Sequence, residues 1–195
     1  MSDLSESVSV NIRQRRTVKP KHLSSQHVEM DIIGEMLENA NWAPTHGMTE
    51  PWRFTVFAGE SRSEVADILV EAYQAETAPD KFKPAKLESM RTNPMRAPVL
   101  ISIGMKRQES KRISELDEIQ AVACAVQNMH LTAASHGLGA FWSSNVAVCS
   151  DRMKQFLGLE EDDRVLGLLY VGYPQADWPA GERTPIENKV TWRTS

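Results

Sequence analysis

Apolar residues recur every three or four positions in four stretches of the chain and cluster without that spacing in four others. Leu4, Val8 and Ile12 mark a short amphipathic helix near the N-terminus. Val28, Ile32, Ile33, Met36, Leu37 and Ala40 give one face of a second helix over residues 26–41, with Ser25 placed to cap it. Ser61-Arg62-Ser63-Glu64 has the form of a capping box ahead of Val65, Ile68, Leu69 and Ala72. The longest periodic stretch, residues 115–136, carries Leu116, Ile119, Val122, Ala123, Val126, Met129 and Ala133 on one side and ends at Gly137, a natural helix stop. Ser150 opens a short helix to Leu157.

The remaining apolar runs read as strands: RFTVFA over 53–58, PVLISIGM over 98–105, a short segment over 139–142, and VLGLLYVG over 165–172. Residues 76–96 are polar with three prolines and predict a lid or an excursion from the main body, variable in character. Residues 175–195 read as an extended tail. Helices and strands are mixed without strict alternation. The expectation is therefore α+β: one domain over 1–195, a central sheet flanked by helices, with the alanine-rich helix at its middle.

Charge sharpens this picture at one place. The chain is acidic, with 22 Lys and Arg against 26 Asp and Glu, yet Arg13-Gln14-Arg15-Arg16-Thr17-Val18-Lys19 gathers four cations in seven residues. A solvated helix C-terminus, nucleic acid and a single bound phosphate each account for such a cluster. The overall acidity argues against a protein that coats nucleic acid. No run of eighteen apolar residues reads as a membrane span, and the first residues lack the pattern of a signal peptide. With two cysteines only, the expected setting is a reducing, cytoplasmic one.

Other motifs carry less. His22, His27, His46, His130 and His136 show no zinc spacing, and GxSxG is absent. Cys124 falls near the apolar side of its helix, so a buried and inert thiol is expected. Gly137-Leu138-Gly139 has a helix before it and a strand after it, the reverse of a dinucleotide fingerprint. Two loops combine aromatic rings with small polar residues: Pro44-Thr45-His46-Gly47 with Pro51-Trp52-Arg53-Phe54, and Phe141-Trp142-Ser143-Ser144. Each suits either a wall for a planar ligand or ordinary core packing.

Taken in order, these pieces resemble the nitroreductase family. The resemblance lies in Arg15-Arg16-Thr17-Val18-Lys19, in Ala43-Pro44 followed by Pro51-Trp52-Arg53-Phe54, in Gly137-Leu138-Gly139-Ala140-Phe141-Trp142-Ser143-Ser144, and in Val171-Gly172-Tyr173-Pro174 with Arg183-Thr184-Pro185. It implies a mixed or antiparallel sheet, an intertwined homodimer, and an FMN-dependent enzyme oxidising NADH or NADPH. Arg15, Arg16, Thr17 and Lys19 are then expected at the flavin phosphate, ribityl chain and ring edge, and Arg183 at the phosphate, a position often reached from across the dimer. Trp42 and His46 are expected at the partner's flavin, and Trp142, Ser143 and Ser144 along the ring. Thr132, Ala133, Ala134, Ser135, His136 and Gly137 match a nicotinamide-nucleotide region.

The resemblance implies no catalytic side chain, because the cofactor carries the redox step. Hydride would pass by a ping-pong route to nitroaromatic, quinone or similar small acceptors, with no metal, nucleic acid or membrane involved. Reductive dehalogenation, flavin destruction and a non-enzymatic flavin module are the alternatives on the same fold. Thr17 stands where many members carry serine, and Ser143 stands where compact relatives often carry arginine.

Overall fold

The computed structural model describes residues 2–194. Six α-helices and four strands follow one another as α1 (Ser2–Gln14), α2 (Met30–Asn41), β1 (Trp52–Ala58), α3 (Ser61–Glu76), α4 (Pro84–Arg96), β2 (Val99–Met105), α5 (Glu115–Ser135), β3 (Gly139–Ser143), α6 (Asp151–Phe156) and β4 (Arg164–Gly172). The strands form one antiparallel sheet in the order β1-β2-β4-β3. The expected α+β class is what the chain adopts.

Period-two alternation divides the core between the two faces of the sheet. Ile101, Ile103, Leu169 and Val171 pack with Ile33, Met36, Val122, Val126 and Met129 of α2 and α5. Leu100, Leu168 and Tyr170 pack with Val65, Leu69 and Tyr73 of α3, Met90 of α4 and Met153 of α6. At β3 the same alternation sends Ala140 and Trp142 toward the α2–α5 side and Phe141 toward the α3–α4–α6 side. Between Ile103 and Gly104 the β2–β4 register slips by one, leaving Leu166 as a bulge. The Leu166 carbonyl accepts a hydrogen bond from Trp142 Nε1 at 3.1 Å. A Cβ on the next residue, Gly167, would overlap that indole nitrogen, so the glycine is what lets the tryptophan lie flat across the strand.

Several local expectations change. Helix α2 begins at Met30, four residues after Gln26, with Glu29 extended at its start and Ser24 Oγ accepting from Gln26 N farther upstream. Ser61 does not cap α3 through Glu64. Its hydroxyl donates to Ala58 O at 2.8 Å and accepts from Ala58 N, tying the helix start to the end of β1. The segment 76–96, expected as a lid or excursion, holds α4, which packs along α3 with Met90 and Pro94 buried. Tyr73 supplies the link: its hydroxyl accepts from Lys83 N, and its ring lies 5.3 Å from that of Phe82. Cys124 and Leu116, expected on the buried side of α5, are exposed. They lie eight residues apart on the stripe that faces away from both α2 and the sheet.

The loop between β2 and α5 is fixed by a buried charge pair. Glu118, 1% exposed, pairs with Arg107 and accepts from Gln108 N. Asp163 accepts from Arg107 N and Glu160 N, both at 2.9 Å. Removing one member would leave the other charge buried and alone. Glu118→Ala is expected to lower the unfolding free energy by about 3–5 kcal/mol, read as the shift in a urea midpoint at unchanged slope.

Candidate functional site

The basic segment owes its position to a glycine. After α1 ends at Gln14, the chain runs extended alongside the outer edge of β3. Thr17 bridges Ala140 in parallel sense, and Val18 N donates to Ala140 O at 3.1 Å. Val18 is buried, and a Cβ on Gly139 would lie 2.6 Å from its Cβ and Cγ2. The Gly137-Leu138-Gly139 motif is therefore a helix stop followed by a seat for Val18. Because side chains alternate along an extended segment, Thr17 and Lys19 project where Val18 does not, and both are exposed.

The C-terminal tail completes the surroundings. Leu23 bridges Pro174, Ser24 N donates to Tyr173 O at 2.8 Å, and Gln175 binds the carbonyls of His22 and Leu23. The tail then crosses Arg16, whose Nε donates to Pro179 O at 2.9 Å. A side chain at Gly181 would overlap the Arg16 guanidinium. This routing brings Arg183 to Arg15 and Arg16 within the same chain, and the three line a cleft of about 430 Å³ with Arg13 and Gln127.

No carboxylate lines this cleft, and among the described residues neither Arg15, Arg16 nor Arg183 forms a salt bridge. Burial holds Arg15 below its ordinary pKa, and the positive fields of Arg183 and Arg16 push the same way. Like charges kept together without counter-charge leave a local positive field that would favour an anion. The chemistry suits a phosphate, which guanidinium groups bind by charge-assisted hydrogen bonds. Within the field of Arg15 lies His130 of α5, 8% exposed, with its Nδ1 unbonded. Burial, then Arg15, push its pKa down to about 4. It stays neutral at pH 7 and adds no charge to the three guanidiniums.

On the other side of the docked segment, Lys19 and Ser143 line a second cleft with Phe141. Ser143 Oγ accepts from Asn145 Nδ2 at 3.0 Å, which leaves its own O–H free to donate. Ser144 follows and is exposed. Phe141 faces this cleft; Trp142 does not, since its indole lies on the opposite side of the sheet, bound to the Leu166 bulge. Strand alternation, already visible in the sequence, is the signal that separates these two aromatic residues.

The remaining candidates lie apart. Trp42 is 79% exposed at the end of α2, where its indole N–H binds Glu38. His46 meets Asp117 at 3.4 Å at the start of α5. Thr132 and Ala133 are buried in the α2–α5 seam, where Asn39 Nδ2 donates to Thr132 Oγ1 at 2.9 Å, so they have no surface to offer a nucleotide. Ala134 is half-buried, Ser135 and Gly137 are exposed, and His136 is held by Glu35 at 2.9 Å. This is a helix C-terminus, whose dipole disfavours phosphate. Among the described residues no cluster of three or more His, Cys, Asp or Glu suits a metal ion, and no helix is long and apolar enough to cross a membrane.

Comparison with known proteins places this geometry. The model of the Nitroreductase family matches residues 12–173. The chain is 28% identical over 180 residues to "Putative NAD(P)H nitroreductase YfhC" of Bacillus subtilis, covering 92% of this chain and 91% of that one. It is 31% identical over 156 residues to "Putative NAD(P)H nitroreductase YdjA" of Escherichia coli, covering 78% and 83%. The nitroreductase-like protein of Bacillus cereus superposes with a TM-score of 0.82 at 26% identity, over 95% of both chains. The FMN-dependent nitroreductase NfnB of Mycobacterium smegmatis, solved with NADPH, shares the fold with a TM-score of 0.75 at 18% identity, over 98% of this chain and 100% of that one.

Two measurements check the site. Gly139→Ala should displace Val18 and cost about 1–3 kcal/mol by overpacking, whereas Val18→Ala in the same background should recover part of the loss; thermal melts of the single and double variants decide. His130 accepts a proton near pH 6.5 when unfolded but only near 4 when folded. The unfolded state therefore binds more protons in that window, and stability should fall from pH 6.5 to 4. His130→Gln should flatten this slope, measured by urea titrations across that range.

The family match spans most of the chain, so the chain belongs to the Nitroreductase family.

Proposed function

We propose that the chain is an FMN-dependent oxidoreductase. It works as a homodimer, takes hydride from NADH or NADPH, and delivers it by a ping-pong route to small acceptors such as nitroaromatics and quinones. The observation that carries this reading is the cleft where Arg15, Arg16 and Arg183 meet with no carboxylate. The names of the relatives supply the donor, and that of the M. smegmatis neighbour supplies the cofactor.

The residues present fit a flavin phosphate. Three guanidinium groups offer more charge than one dianion needs, and the unbalanced positive field at Arg15 is what a phosphate would neutralise. Thr17, exposed on the same segment, adds a hydroxyl donor. When bound, FMN supplies the two-electron chemistry that no side chain here can supply.

The chain's own residues do the rest. Arg15, Arg16 and Arg183 bind the anionic end, and Thr17 offers its hydroxyl on the side to which Lys19 projects. Lys19 stands on the far side of Val18, where a cation favours negative charge developing on a ring edge. Ser143 and Ser144 offer hydroxyl donors beside it, and Phe141 gives that cleft an apolar wall. None of these groups has to exchange a proton with the substrate.

Dimerisation is supported by apolar surface that has no cover within the chain. Leu4, Val8 and Ile12 of α1 are exposed, as are Leu116, Met48 and Trp192, the last at 81%. Single exposed apolar residues are ordinary; one whole apolar face of a helix is not. In this reading Trp42 and His46 meet the flavin of the partner protomer.

Arg15→Ala and Arg183→Ala are each expected to weaken FMN binding about tenfold or more, measured by flavin fluorescence on titration. Light scattering should return twice the chain mass of 21.9 kDa. A monomer that stays colourless with excess FMN would contradict the assignment.

A further inference from the structure

A second set of cations flanks the docked segment, away from the three arginines. Lys19 and Lys21 face Lys86 and Arg96 of α4 across a cleft of about 300 Å³, with Asn93 and Ser143 between them. No carboxylate lines it. Among the described residues none of the four cations forms a salt bridge. In a chain with four more acids than bases, a cleft holding four unpaired cations is shaped for a counter-charge.

Helix α4 presents its share deliberately. Residues 86, 89, 93 and 96 are spaced by three, four and three, which puts them on one face. Met90, buried, forms part of the cleft wall between them, and Pro94 is buried farther round the helix, so the cationic residues are held toward the cleft. Donors are ready for an anion: the Asn93 amide has no intramolecular partner among the described hydrogen bonds, and the Ser143 O–H is free because its oxygen is occupied by Asn145.

We infer that this cleft holds an anionic group of the substrate: a carboxylate, sulfonate or phosphate on the molecule that meets the flavin. The inference rests on the oxidoreductase reading above. In that reading Lys19 and Ser143 serve the flavin ring edge and the phosphate of FMN has its own guanidiniums, so Lys86 and Arg96, at the α4 end of the same cleft, are surplus to cofactor binding. Two sources carry suitable chemistry, an acidic electron acceptor and the 2′-phosphate of NADPH, and both bring charge to the same place. Lys86 and Arg96 are positioning residues that select by charge.

The test uses the FMN-loaded full chain and a Lys86→Ala/Arg96→Ala variant. Binding of 4-nitrobenzoate and of 2′,5′-ADP is measured by calorimetry, alongside kcat/KM ratios for 4-nitrobenzoate over 4-nitrobenzyl alcohol and for NADPH over NADH. The double variant should lose at least tenfold in one of the two ratios and in binding of the matching anion. Loss in the first ratio assigns the cleft to the acceptor, and loss in the second to the donor. Lys86→Arg should restore the ratio, and Arg91→Ala, on another face of α4, should leave it unchanged. The advantage of the charged substrate should also shrink with added salt.

Unchanged binding of both anions and both ratios would overturn the inference, as would release of FMN from the double variant, which would give these cations to the cofactor. A wild-type chain that retains no flavin would count against the oxidoreductase reading instead. The calorimetric comparison would still decide whether Lys86 and Arg96 bind an anion.

Discussion

One contact organises the site: Val18 seated on Gly139, with its amide bonded to Ala140. The contact needs a residue without a side chain on β3 and a compact branched one opposite. Once made, it fixes the direction and register of five residues, so that Arg15 and Arg16 open on one cleft while Lys19 opens on another. Long cationic side chains have little order of their own. Their order here is borrowed from a backbone held against a strand edge, and the tail that crosses at Pro179 and Gly181 fixes Arg16 from the other side.

The charges fall into two populations. Arg107 with Glu118 is a buried pair that locks a loop, and its partner is supplied by the fold. The arginines of the first cleft have only backbone carbonyls for company. Positive groups kept together with no acid between them cost stability in the free protein. His130, buried and neutral, adds no further charge to theirs. The acidity of the chain as a whole does not weaken the site, because screening confines its field to about 8 Å at physiological salt.

Much of this was legible in the residues. Strands RFTVFA, PVLISIGM and VLGLLYVG are found within one residue of their expected bounds, since long apolar β-branched runs have few other ways to be buried. Helix α5 ends one residue before its expected limit, at a glycine stop. The cationic motif and its relation to Arg183 were readable as a set, but the mutual position of the three arginines was not, because it depends on where a tail of low regularity crosses. The 76–96 stretch misled for a clear reason. Its helix is polar on three sides, and its prolines sit at the first turn and on the buried side of α4, where they do not prevent a helix that α3 covers. The exposure of Cys124 and Leu116 was equally hidden, since periodicity marks apolar positions without saying which of them this chain covers by itself.

The docked segment also closes a sheet. β3 is the last strand on its side, and an uncovered terminal strand offers its amides and carbonyls to any passing chain. Residues 17 and 18 occupy that place. A lesion that loosens the cationic segment would therefore bare that edge and forfeit solubility.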